Sequence, residues 1–101
     1  AIHMAESPIA CMAAIHVAAA VQNILAVEFH SVDIPWWNDL AIGIDNPLFK
    51  DGFVNVPNKP GLGIDSLNEK LIKEHMHEKY PEAWGDTSFW DNEWANDREW
   101  S

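Results

Sequence analysis

The first 28 residues constrain the fold most, because two polar residues there bracket a helix between two apolar segments. A short apolar stub ends at His3. Ser7 stands where a helix cap is needed, and Pro8 occupies the first turn, where its missing N–H costs least. Ile9, Met12, Ile15 and Ala19 are spaced for one apolar face, and the alanines between them allow close approach to a sheet. Gln22-Asn23 stops the helix. Residues 24–27, Ile-Leu-Ala-Val, then read as a strand apolar on both faces, as covered parallel strands are, and they end in Glu28. Strand end, helix, strand end is the βαβ unit of a parallel sheet or barrel. Polar residues at the C-terminal ends of such strands sit where chemistry is done. The pattern therefore predicts that His3 and Glu28 face the same side, as a candidate acid/base pair.

Residues 29–46 form a long connection punctuated by Pro35, Gly43 and Asn46-Pro47, and long loops after strands tend to carry function. Leu48-Phe49 and the run 53–56 flank Lys50-Asp51-Gly52, which is a hairpin signal. Asn58 to Gly63 is a rigid Pro-Gly turn. Asp65 or Ser66 is then placed to cap a second helix running to about Lys79, with Leu67, Leu71, Ile72 and Met76 on one side and Pro81 ending it. From Glu82 onward the chain carries Trp84, Phe89, Trp90, Trp94 and Trp100 among carboxylates. A tail this aromatic needs a surface to cover it.

The net charge of −10, from 16 acidic and 6 basic residues, disfavours nucleic-acid backbones and anionic membrane surfaces alike. No apolar run approaches the ~20 residues of a membrane span, and the N-terminal residues lack a secretory pattern, so a soluble cytoplasmic protein is expected. The one cysteine, Cys11, excludes an internal disulfide and reads as a small buried hydrophobe in the helix.

Among candidate site residues, His3 leads, since an imidazole titrates near neutral pH and suits proton abstraction. Its bland alternative is a frayed surface histidine. Glu28 is either at the mouth of a site or an ordinary strand-end carboxylate. His30, two residues on in extended backbone, reaches the same side, where substrate contact competes with loop packing. Asp33, Trp36 and Trp37 share that loop; packing is the first reading of both tryptophans, and Trp36 is retained as a substrate contact. His16, mid-helix among alanines, reads as a satisfied structural residue. His75 and His77 point to different helix faces and read as surface residues rather than a metal pair. Pro60-Gly61-Leu62-Gly63 lacks the lysine-serine ending of a phosphate loop and is a structural turn.

The order of these segments resembles the last part of an enolase-superfamily enzyme of the mandelate racemase/muconate lactonizing group. The text that carries it runs from His3-Met-Ala-Glu-Ser-Pro-Ile-Ala through Ala13-Ala14-Ile15-His16-Val17-Ala18-Ala19-Ala20 to Val27-Glu28-Phe29-His30. Pro35-Trp36-Trp37, Lys50-Asp51-Gly52-Phe53 and Lys59-Pro60-Gly61-Leu62-Gly63-Ile64 extend it, so that it covers residues 1 to about 80. Within the group it looks most like the sugar-acid dehydratases.

The resemblance implies an α/β fold: the C-terminal portion of a (β/α)₈ barrel, with its last helix and strand, and a C-terminal segment returning to a capping domain. A whole barrel takes about 250 residues, against 101 here, so a part of a larger enzyme is expected. On this reading residues 1–46 are the end of strand 7, a helix, strand 8 and its loop. Residues 47–81 are a hairpin, turn and helix packing back on barrel and cap, and 82–101 are an acidic Trp-rich tail. His3 would be the acid/base at the carbon next to a carboxylate, paired with an aspartate outside this chain. Glu28 would hydrogen-bond the substrate carboxylate and stabilise an enediolate, which requires it protonated or tightly hydrogen-bonded. Mg²⁺ is implied, held by carboxylates of strands not on this chain, so no metal ligand is assigned here. The implied partners are a sugar acid, the remainder of the enzyme and further copies in a homo-oligomer. Racemisation, epimerisation or cycloisomerisation shares the first step. A reading of another class is a small acidic, Trp-rich interaction module without catalysis, binding through its tail.

Overall fold

In the computed structural model, which describes residues 1–31 and 33–78, helix α1 spans Pro8–Ala20. Pro8 holds its first turn as expected, and the Cys11 amide donates to the Ser7 carbonyl at 3.0 Å. The Ser7 side chain makes no cap hydrogen bond, which corrects its assignment as a hydroxyl cap. The buried face is Pro8, Cys11, Met12 and Ile15, the i, i+3, i+4, i+7 stripe. It is turned one residue from the predicted face, because Ile9 is 37% exposed while the core gathers around Cys11. That core joins Met4, Cys11, Met12, Ile15, Trp37 and Leu48. Each fully buried aliphatic side chain of this kind contributes about 1.5–3 kcal/mol. The Trp37 indole settles its polar edge by donating Nε1 to the Glu6 carbonyl at 2.9 Å.

The segment after α1 differs from the expected strand. Residues 24–27 have no strand; one parallel bridge, Ile2 to Val27, joins the two ends of the βαβ pattern. Leu25 is 94% exposed, so the two-sided burial expected there is not met among the described residues. One bridging residue supplies too few ladder hydrogen bonds to propagate a strand.

The connection after residue 30 is less irregular than expected. It holds a 3₁₀ turn at Trp37–Leu40 and strand β1 at Ala41–Ile42. β1 pairs antiparallel with β2, Ser66–Leu67, with Ala41 opposite Leu67 and Ile42 opposite Ser66. That pairing takes Ser66 out of the helix it was expected to cap. Helix α2 is Glu69–Glu74, shorter than predicted, and its cap is Asn68, whose side chain accepts from the Leu71 amide at 3.2 Å. The 3₁₀ turn packs against both α1 and α2. Trp36, at its start, stacks on His75 at the end of α2, with ring centroids 3.9 Å apart and planes 12° apart.

The hairpin signal is met locally. Lys50 and Phe53 exchange both backbone hydrogen bonds at 2.9 Å. Asp51 and Gly52 between them have φ of 53° and 81°, the two positive values of a type I′ turn. The Pro-Gly turn closes with the Gly63 amide donating to the Pro60 carbonyl at 3.3 Å. Among the described residues no helix is long and apolar enough to cross a membrane. The expected aromatic tail, 82–101, lies outside the described residues.

Candidate active site

Backbone register assembles the site. The Ile2 amide donates to the Ala26 carbonyl at 3.1 Å, and the Glu28 amide donates to the Ile2 carbonyl at 2.8 Å. With Ile2 beside Val27, the next residue on each segment, His3 and Glu28, falls side by side on the opposite face. The same alternation repeats along the second segment. Val27 and Phe29 turn inward against the core, while Glu28 and His30 are exposed.

The inward residues fasten the segment from behind. Phe29 stacks on Phe49 with centroids 3.8 Å apart and meets Trp37 edge-on at 5.0 Å and 63°. Such aromatic pairs add about 0.5–1.5 kcal/mol each beyond their area. They hold Phe29, and hence the residues on either side of it, against a hairpin strand and the 3₁₀ turn. Val27, Phe29, Phe49 and Phe53 also line an apolar groove of about 430 Å³ with Ile15 and Ala18 of α1. Polar chemistry and apolar packing thus occupy opposite faces of one short segment.

On the exposed face His30 Nε2 lies 3.3 Å from Glu28 Oε2. The His3 and His30 rings approach with centroids 5.3 Å apart, tilted by 40°. One nitrogen from each histidine and one Glu28 oxygen all lie within 4.8 Å of one another. The His30 and Glu28 side chains are 56% and 46% exposed, so the cluster is open to a solute. Two imidazoles beside a carboxylate can take, hold and return a proton, and can donate to or accept from an incoming carboxylate or hydroxyl.

His3, Glu28 and His30, three of the residues singled out in the sequence, therefore come together. Trp36 is half-buried, and the ring it stacks on is His75, which ties the loop to α2. His75 is exposed, as expected for a surface residue, but its stacking partner was not anticipated. His16 departs from the reading of a satisfied residue: its Nε2 is buried with no hydrogen-bond partner among the described residues. Nothing in the local sequence signals that orphan atom, since it depends on which neighbours close around α1.

The donor set can be tested against Mg²⁺. That ion demands near-octahedral oxygen coordination, whereas this cluster offers one carboxylate and two imidazoles. The residues present do not fit it.

Residues 1–70 match the family described as enolase C-terminal domain-like. The chain belongs to that family. It is also 42% identical over 78 residues to a D-xylonate dehydratase of Haloferax volcanii, a match that takes in 77% of this chain. The chain spans 18% of the length of that relative. The comparison with solved structures found no match. As a member of the enolase C-terminal domain-like family the chain is α/β in class, and the His3-to-His30 cluster falls inside the matched residues.

Proposed function

We propose that this chain supplies the acid/base histidine and a hydrogen-bonding carboxylate to an aldonate-type sugar-acid dehydratase. The observation that carries this reading is the register of Ile2 with Val27, which sets His3 beside Glu28. Membership of the enolase C-terminal domain-like family and the likeness to a D-xylonate dehydratase support the substrate class. In this reading residues 1–46 close a (β/α)₈ barrel, and residues 47–81 return toward a cap. The Mg²⁺ of such an enzyme is held by carboxylates outside these residues.

An unprotonated ring nitrogen of His3 takes the proton from the carbon next to the substrate carboxylate. The electron pair of that C–H bond moves into the carboxylate, giving an enediolate. Glu28, which must carry a proton to donate there, and His30 beside it at 3.3 Å face the oxygens on which charge develops. Donors already in place there lower the barrier, because they need no reorganisation as the charge forms. Collapse of the enediolate expels the neighbouring hydroxyl, which leaves as water after receiving the proton that His3 took. The enol that remains tautomerises to a 2-keto-3-deoxy acid.

The chain alone is expected to be inactive, so the test is incubation of the enzyme that joins it to the Mg²⁺-holding strands with D-xylonate and a panel of other aldonates in Mg²⁺-containing buffer, with detection of a 2-keto-3-deoxy acid. Appearance of that product supports dehydration. An epimer formed without loss of water would replace the reading by racemisation, and an inert protein across the panel would overturn it.

A further inference from the structure

We propose that His3, Glu28 and His30 form a binding site for a borderline divalent transition ion of the Zn²⁺ kind, distinct in chemistry from any Mg²⁺ site. Two imidazoles and one carboxylate are a ligand set that open zinc sites use, leaving the fourth position free. Imidazole nitrogen selects Zn²⁺, Cu²⁺ or Ni²⁺ over Mg²⁺. Geometry supports the assignment. Zinc bonds of roughly 2.0–2.2 Å to nitrogen and oxygen make the edge of a tetrahedron about 3.4 Å. His30 Nε2 and Glu28 Oε2 are already 3.3 Å apart, so an ion can replace their shared proton with little movement. The third donor, on His3, lies within 4.8 Å of both. Closing that gap needs a shift of about an ångström in an exposed ring, within the reach of side-chain rotation. The backbone hydrogen bond from Glu28 to Ile2, at 2.8 Å, keeps the two strand ends together while the rings adjust.

A bound Zn²⁺ takes the His3 nitrogen that would receive the substrate proton, so it blocks turnover even where the sugar acid reaches the free fourth position. That consequence for turnover rests on the dehydratase reading; the binding itself does not. The probe is Co²⁺, a spectroscopic stand-in for Zn²⁺, titrated into the intact protein in the presence of excess Mg²⁺. The expected result is the visible absorption of four- or five-coordinate Co²⁺, abolished by one equivalent of Zn²⁺. His3→Ala and His30→Ala should each weaken binding at least about tenfold, the least that follows even when an outer partner of a metal ligand is lost. His75→Ala should leave it unchanged. Absence of the band, or a band that survives His30→Ala and disappears in His75→Ala, overturns the proposal. A band in a protein that dehydrates no aldonate leaves the metal site standing and removes the dehydratase reading. Dehydration without a band does the reverse. If both hold, Zn²⁺ should lower the rate of aldonate dehydration; an unchanged rate with Co²⁺ bound overturns the block on turnover.

Discussion

The Glu28 amide donates to the Ile2 carbonyl at 2.8 Å, and with the bond from the Ile2 amide to the Ala26 carbonyl it holds His3 and Glu28 at a common edge on either side of the helix. The bond is local to neither residue. Its partners stand on either side of α1, so the site depends on how the helix packs as well as on the polar residues themselves. Packing of Phe29 on Phe49 supplies the second constraint, holding the segment while leaving the adjacent side chains free to face solvent.

If His3 is the base, removing its ring nitrogens should abolish proton abstraction before anything else changes. His3→Asn is expected to lower kcat for aldonate dehydration by about 100- to 10,000-fold, the range for loss of a general base. Exchange of the substrate's α-hydrogen with solvent deuterium should fall in parallel. Because His3 is exposed, the far-UV circular dichroism should be unchanged. Retained exchange in His3→Asn would show that another group takes the proton.

Helix α2 is capped by Asn68 instead of Asp65 or Ser66, and the cost of losing that cap can be separated from its other bond. Asn68 Oδ1 accepts from the Leu71 amide, while its Nδ2 donates to the Asp39 carbonyl at 3.1 Å. Asn68→Ala removes both and should cost about 1–2 kcal/mol in denaturant unfolding. Asn68→Asp keeps the acceptor, loses the donor, and should recover roughly half. Equal losses in the two variants would show that the cap contributes nothing.

These two cases mark what could be read in the residue order. The Pro8 helix start and the Asp51-Gly52 turn were legible because each follows from short-range chemistry, and the pairing of His3 with Glu28 because the order of apolar segment, helix and apolar segment brings the two segment ends to one side. The cap was not, because Ser66 is drawn into pairing with Ile42, a residue far away in the chain. Nor was the stacking of Trp36 on His75, which no local pattern encodes. Burial of residues 24–27 does not follow from their composition: an apolar run shows what a strand would cover, while covering it takes neighbours.

At Gly63 two constraints coincide. Its φ is 79°, a region costly to L side chains, and a Cβ there would overlap the Pro57 ring. Gly52 has φ of 81° with open space around it. Gly63→Ala should therefore destabilise by more than Gly52→Ala, about 2–4 against about 1 kcal/mol, through added steric overlap. Matched urea melts of the two variants provide the check, and equal midpoints would mean that the Pro57 turn yields without cost.

The acid excess of 16 over 6 should make the fold sensitive to salt. Raising KCl from low concentration to about 1 M shortens the screening length to about 3 Å and removes long-range repulsion. The melting temperature should rise over that interval. A melting temperature that falls instead would show that pairs such as Lys59 with Asp65 at 3.2 Å outweigh the net repulsion.

Cys11 provides the pH prediction. It is fully buried, and burial pushes its thiol up from the ordinary 9.0 to about 11. The fold therefore favours the neutral thiol over the thiolate. A group raised in this way contributes stability that is complete below pH 9, declines as the unfolded chain begins to ionise, and is lost as pH passes 11. Two pH units correspond to roughly 2–3 kcal/mol. The native protein should accordingly resist iodoacetamide at pH 8, because the thiolate is the nucleophile, and should react readily once denatured. Cys11→Ala removes the titration. Plotted against pH, its melting temperature should fall less steeply than the wild type's between 9 and 11; parallel curves would mean that Cys11 ionises as freely in the fold as outside it.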